Sequence, residues 1–370
     1  MQYRPDIDGL RAVAILCVLL FHCDFEWFSG GYIGVDVFFV ISGFLITSLI
    51  LMDLAKGRFS FARFYTRRAR RLLPALLATV VLVLAAATVI MGPEDLVDTA
   101  VSGGLAAISL SNFYFAKAAS YFDASANAKP FLHMWSLSLE EQYYLFWPLT
   151  VFMVYRWKRE WAVAAMIAAA IPLGLALSQY WVDRNVKQAY FLLPFRGFQF
   201  LLGAACIWLS RVRISSSGTG MLVGMCGLAL IAFSAITFSE GTPFPGLAAL
   251  VPSLGAVLVI WQGQQVGMQR LIGNRPLAWF GRISYSTYLV HWPIIVFWRY
   301  LSIESLSLVD KVTLFLLSVA GGQLLYSLVE QRFRYEHGEQ PRSTPRFLVG
   351  ITGVVAAVAE EAPRFRTFVA

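Results

Sequence analysis

Arg11 and His22 bracket the first long apolar run of the chain, LRAVAILCVLLFH. At about 100° and 1.5 Å per residue they share one stripe of a helix, roughly 16 Å apart along its axis. A guanidinium takes anionic oxygens two at a time. A neutral imidazole accepts a proton near neutrality. The pair therefore suits a long ligand with an anionic end and a reacting end. The plainer readings are an interfacial anchor for Arg11 and a satisfied core position for His22. Asp24 and Glu26 follow, and Asp36 and Ser42 enter the next apolar run. A carboxylate near an imidazole fixes its tautomer and raises its basicity, which makes Asp36 a candidate partner for His22 as general base. Ionisable groups at membrane depth face the protein interior and are functional candidates.

Three later stretches carry further chemistry. In HMWSLSLEEQYYLFWP, His133, Ser136 and Glu140 fall on one helical face, and Glu140 and Glu141 lie inside an apolar crossing. Two adjacent carboxylates there are costly when both ionise, so at least one is paired, solvated in a cavity or protonated. In RFYTRRARRLLP, Arg67, Arg68, Arg70 and Arg71 form either a topogenic cluster on anionic lipid or a phosphate site for a nucleotide-bearing donor. No Walker loop or GxGxxG accompanies them. In GRISYSTYLVHWP, Ser284, Tyr288 and His291 recur at helical spacing. A lone histidine on such a face is more often structural than catalytic. The four histidines form no cluster with ligand spacing, so no metal is expected.

The elements that must position these residues follow from composition. Of 370 residues 58% are hydrophobic and 14% charged, far below the charged quarter of a soluble domain. Many runs approach the roughly 20 apolar residues that span a bilayer. The expected fold is an all-α polytopic membrane protein with about 10–11 transmembrane helices. The expected spans are 10–26, 34–53, 72–91, 135–155, 161–180, 190–209, 219–238, 244–261, 284–301 and 310–330, with a short eleventh at 347–359. The segment 97–116 is apolar but broken by Gly103 and Gly104, which points to a half-helix or a membrane-surface element. The first run lacks a small-residue cleavage site and reads as a retained helix. Cys17, Cys23, Cys206 and Cys226 show neither metal nor disulfide spacing and read as buried thiols.

The net charge of +8 is read by position. Lys and Arg concentrate at Arg4 and Arg11, from Lys56 to Arg71, from Arg156 to Arg159, at Arg211 and Arg213, from Arg270 to Arg282, and from Arg332 to Arg346. The alternate loops are nearly bare, which places the N-terminus in the cytoplasm. The bilayer is then the expected partner, and nucleic acid is not. Residues 1–335 read as one transmembrane domain, 336–346 as a cytoplasmic linker with Pro341 and Pro345, and 347–370 as the short eleventh segment and tail.

The stretches YRPDIDGLRAVAILCVLLFH, GGYIGVDVFFVISGFLIT, FYTRRARRLLPALL, HMWSLSLEEQYYLFWP and SYSTYLVHWPI occur in this order. Together they resemble the integral-membrane acyltransferase-3 family, which includes bacterial O-acetyltransferases of lipopolysaccharide and peptidoglycan. The resemblance covers roughly residues 3–330. It implies transfer of an acyl group, usually acetyl from cytoplasmic acetyl-CoA, to a hydroxyl of an envelope polysaccharide or glycolipid on the outer side of the bacterial inner membrane. The family's Arg-x10-His motif falls on Arg11 and His22. Its RxxR motif falls on Arg67/Arg70 or Arg68/Arg71, and its WSLxxE motif on Trp135–Glu140. Acyl-CoA is then a co-substrate, with no permanently bound cofactor. On this resemblance His22 is the base or the acyl carrier, Glu140 or Asp36 orients it, and Arg11 with the 67–71 cluster takes the donor's phosphates. Relatives that open this way often carry a periplasmic esterase-like domain after an eleventh helix. The short segment 347–370 reads as a truncated link to such a domain or to a separate partner. A transporter or flippase of a glycolipid is the alternative use of the same intramembrane charges, and a non-catalytic scaffold the third. Cysteines introduced at Ser60 and Ser120 test the orientation: an impermeant thiol reagent should label position 120 from outside and position 60 only after permeabilisation, and the reverse pattern would refute it.

Overall fold

The computed structural model describes residues 3–118, 128–212, 214, 216–302 and 305–333. No strand occurs among the described residues. In chain order the helices are α1 (Pro5–His22), α2 (Gly34–Ala55), α3 (Phe61–Ile90), α4 (Pro93–Ala107), α5 (Ser111–Ala118) and α6 (Met134–Val182). They continue as α7 (Val186–Phe191), α8 (Leu193–Leu209), α9 (Ser217–Thr237), α10 (Gly246–Gln262), α11 (Val266–Leu271), α12 (Arg275–Leu301) and α13 (Leu308–Leu325). Arg159, at φ 63°, breaks α6 into two arms. Each expected span before residue 333 overlaps a helix or one arm of α6, with 190–209 running across α7 and α8. Six stretches are long and apolar enough to cross a membrane: Gly31–Ala55, Phe61–Ile90, Arg159–Val182, Val186–Leu209, Ser217–Thr237 and Leu308–Phe333. The chain is an all-α polytopic membrane protein. Ser120, the linker 336–346 and the segment 347–359 lie outside the described residues.

Helix ends depart from the apolar runs, for identifiable reasons. Helix α1 begins at Pro5, whose fixed φ suits a first turn, with Asp6 and Asp8 facing the positive end of the dipole. It stops at His22 and not at 26. Phe25 N–H returns to Leu20 O and Asp24 N–H to Phe21 O, with Asp24 left-handed at φ 64°, the hydrogen-bond pattern of a Schellman cap. Asp24 and Glu26 therefore belong to the turn. Helix α3 begins at Phe61, eleven residues earlier than the apolar run, because Ser60 Oγ accepts from Arg63 N. The arginine cluster is thus helical. The broken segment 97–116 becomes α4 and α5, divided at Ser109 with φ 60°. Cys17, Cys23 and Cys206 are buried, whereas Cys226 is exposed on α9, where the apolar surroundings in a membrane are lipid.

The chain forms two compact units. One is the described part of Met1–Phe59 with Leu139–Tyr285, and the other is Ser60–Ser138 with the described residues from Ser286 onward. In the first unit α2 packs lengthwise on α8, α9 on α10, and α1 on α2. The α2–α8 approach requires glycine on both sides. A Cβ on Gly43 would strike the Phe200 carbonyl, and one on Gly203 the Val40 carbonyl. Small residues let membrane helices approach to backbone contact. Phe39 and Tyr143 stack on Phe200 at 4.6 and 4.4 Å between ring centroids. The turn between α1 and α2 is tied to the end of α9: Gly30 N–H donates to Ala235 O, and Ser29 Oγ donates to Phe238 O. In the second unit α3 packs on α4, and Trp292 Nε1 donates to Lys129 O at 2.9 Å.

Gly203→Val should cost at least ~1–3 kcal/mol through overpacking and lower the thermal unfolding temperature of the detergent-purified chain. Gly197→Ala on the same helix, where a Cβ meets nothing within 4 Å, should leave it unchanged or raise it.

Candidate active site

In the first unit, polar side chains gather along α2. Asp36 lies in the first turn of the helix, fully buried. Arg196 Nη1 of α8 donates to its Oδ1 at 2.8 Å, with both side chains 1% exposed. Gln199 Nε2 donates to the same oxygen. Arg196 also donates from Nε to Tyr190 O at 3.1 Å and lies over the rings of both Tyr190 and Phe244, 4.6 and 4.9 Å from their centroids. Asp36 and Gly43 are seven residues apart, as are Arg196 and Gly203, so each pair shares one helical stripe. The glycines bring the stripes together, and the acid and base meet on them. Sequence spacing points to Asp36 but not to Arg196 or Gln199; the one signal for Arg196 is a charge inside an apolar run, and its partner lies 160 residues away.

Further along α2, Ser42 Oγ donates to Glu140 Oε1 at 3.0 Å, and the Tyr144 hydroxyl donates to Glu140 Oε2 at 3.0 Å. Tyr144 Oη is also 3.0 Å from Ser42 Oγ. Glu140 is half-buried in this hydroxyl pair, which answers how a carboxylate is accommodated inside an apolar crossing. Glu141 is half-buried as well. One turn beyond, Trp147 Nε1 donates to Thr47 Oγ1 at 2.8 Å, and Thr47 Oγ1 donates to Gly43 O at 2.7 Å.

Arg11 and His22 lie on the single continuous helix α1, as the spacing requires. His22 is buried in its last turn, beside the ring of Phe21 at 5.1 Å. Phe21 meets Tyr32 edge-on at 5.5 Å. Arg11 is half-buried, and its Nη1 is 4.0 Å from Asp8 Oδ1.

The remaining candidates belong to the second unit. Arg67 is exposed and Arg68, Arg70 and Arg71 are half-buried on the first turns of α3. His133, Ser136, Tyr288 and His291 converge in one buried cluster. The His133 ring stands 5.5 Å from His291 and 5.4 Å from Tyr288. Ser136 Oγ and Tyr288 Oη are 2.7 Å apart, and Tyr288 donates to His133 O at 3.0 Å. His133 Nε2 faces Leu289 O at 3.1 Å, and His291 Nδ1 faces Tyr288 O at 2.7 Å. A carbonyl only accepts, so those nitrogens carry the proton. This cluster ties the start of α6 to the middle of α12. Ser284 lies outside it. Among the described residues no three His, Cys, Asp or Glu side chains converge as metal ligands do.

Comparison with known proteins matches the acyltransferase domain family over residues 4–327. The peptidoglycan O-acetyltransferase OatA of Listeria monocytogenes is 34% identical over 313 residues, covering 80% of this chain and 50% of the relative. The O-acetyltransferase OatA of Staphylococcus aureus is 32% identical over 314 residues, covering 80% and 51%. The chain thus spans about half the length of these relatives. No solved structure matches it.

Arg196→Met leaves Asp36 buried and uncompensated and should cost ~3–5 kcal/mol. The double variant Asp36→Asn/Arg196→Met should recover part of that loss in thermal unfolding. Strictly additive costs would show that the two side chains are not coupled.

Proposed function

The chain belongs to the acyltransferase-3 family, and from that premise we propose that it is a membrane O-acyltransferase. In this reading it moves an acyl group, acetyl in the simplest case, from cytoplasmic acyl-CoA to a hydroxyl of an envelope glycan on the outer side of a bacterial inner membrane. The N-terminus is then cytoplasmic. The acceptor class is drawn from relatives whose names specify peptidoglycan O-acetylation. The observation that carries the reading is the placement of Arg11 and His22 on one unbroken helix, roughly 16 Å apart. That spacing suits a donor whose phosphates and thioester lie at opposite ends of an extended arm.

His22 is assigned the chemical step. As general base, its imidazole takes the proton of the acceptor hydroxyl while the oxygen attacks the thioester carbonyl. The C–S bond breaks, and the thiolate of CoA recovers the proton from the imidazolium. As nucleophile, the imidazole carries the acyl group between donor and acceptor instead. Within the same unit Glu140 and Asp36 are assigned positioning roles, Glu140 through Ser42 and Tyr144, and Asp36 by fixing α2 against α8. Arg11 takes a donor phosphate. In the second unit the helical cluster Arg67, Arg68, Arg70 and Arg71 is assigned a phosphate contact of its own. An esterase-like partner domain is the proposed recipient where the transfer has a second stage.

His22→Gln keeps the side chain's size and polarity but takes up no proton. It should fold, insert and bind acyl-CoA, yet hydrolyse or transfer acyl groups at least ~100-fold more slowly. Near wild-type turnover would move the base elsewhere, to His133 or His291. Replacing all four cluster arginines with lysine keeps the charge and removes the fork. Full acyl-CoA affinity in that variant would make the cluster topogenic only.

A further inference from the structure

Arg11 does not stand alone at the start of α1. Its ion pair with Asp8 is loose, at 4.0 Å, with the two side chains 13% and 15% exposed. The other oxygen of Asp8 accepts from the Tyr3 hydroxyl at 2.8 Å. The Arg282 guanidinium of α12 acts on the Tyr3 phenol from the other side, opposing the pull of Asp8. The backbone fixes this approach: a Cβ on Gly281 would strike the Asp8 carbonyl, and one on Gly9 the Ile272 carbonyl. The main-chain contact between α1 and α12 thus brings the Arg11–Asp8 pair, the Tyr3 phenol bonded to it and Arg282 into one neighbourhood. Partial desolvation and the Asp8 carboxylate push the largely exposed Tyr3 phenol above its ordinary range, so it stays a neutral donor. Arg4 does not alter the balance, because it is paired with Asp6. Within this cluster two positive charges share a single negative one.

We propose that Arg282 is a second phosphate-binding arginine for the acyl-CoA donor, held in register with Arg11 by Tyr3 and Asp8. The proposal rests on the donor reading given above. Before the donor arrives, Asp8 and Tyr3 order the two guanidiniums. The donor's phosphate oxygens then replace those contacts, each guanidinium offering a planar fork to a phosphate. The arm beyond the phosphates follows α1 toward His22. Arg11 and Arg282 act together, whereas Tyr3 and Asp8 are positioning residues.

Coenzyme A and pantetheine, which lacks the phosphates, separate the outcomes when their affinities for the purified full chain are measured by calorimetry. Wild type should prefer coenzyme A. Arg282→Gln should lose about tenfold in coenzyme A affinity, the scale of a lost charge-assisted hydrogen bond, with pantetheine affinity unchanged. Arg282→Lys should fall between the two. Tyr3→Phe should lose a smaller factor without a change in unfolding temperature. If Arg282→Gln folds poorly, Arg282→Lys and Tyr3→Phe carry the test. Wild-type coenzyme A affinity in the Arg282 variants, alongside a loss in Arg11→Gln, would overturn the proposal and leave the donor reading standing. Equal affinity of the wild-type chain for the two ligands would instead refute the donor reading itself.

Discussion

A carboxylate and a guanidinium buried together among apolar side chains are tolerable only when they meet in good geometry. Asp36 and Arg196 meet at 2.8 Å because Gly43 and Gly203 allow α2 and α8 to touch backbone to backbone. Either change alone, a bulkier residue at the crossing or the loss of one charge, strands the other partner in a medium that cannot solvate it. The pair also selects a register. A slip of α2 along α8 would separate Asp36 from Arg196 and Gln199 and drive both glycine positions into facing side chains. Apolar helices in lipid have little else to tell one register from another.

With α2 so fixed, the other polar groups of the first unit take their places. Ser42 meets Glu140 and Tyr144 on the first arm of α6, and Thr47 meets Trp147 one turn on. The turn that joins α2 to α1 is held by main-chain and hydroxyl bonds to the end of α9, so the buried His22 sits on a fixed support. The second unit uses its polar residues differently. His133, Tyr288 and His291 each place a donor on a main-chain carbonyl. They join two segments far apart in sequence. The proposed chemistry falls on α1, where Arg11 and His22 share one helix.

The helices were legible because apolar runs of bilayer length leave few alternatives. The break near Gly103 and Gly104 was legible too. Helix ends were not, because capping and turn geometry set them: Ser60 starts α3 ahead of the arginines, and Asp24 ends α1 at His22. Spacing along one helix joined Arg11 to His22. It also put His133, Ser136 and Glu140 on one face, but it did not supply their partners. Those partners, Arg196 for Asp36, Ser42 and Tyr144 for Glu140, and Tyr288 for Ser136, come mostly from other helices. Only Tyr144 lies one turn from the residue it bonds. Arg282 read as one topogenic charge among several, and its link to Asp8 through Tyr3 emerges only where α1 crosses α12.

The proposed transfer is tested most directly in sealed inverted membrane vesicles, which expose the cytoplasmic face and enclose the outer one. Acetyl-CoA labelled in the acetyl group is supplied outside, and the enclosed glycans are recovered and treated with mild alkali. The account predicts acetyl label on those glycans as an alkali-labile ester, with free coenzyme A released outside. Unlabelled glycans together with intact acetyl-CoA, while glycolipid redistributes across the same vesicles, would contradict it and favour transport over acyl transfer.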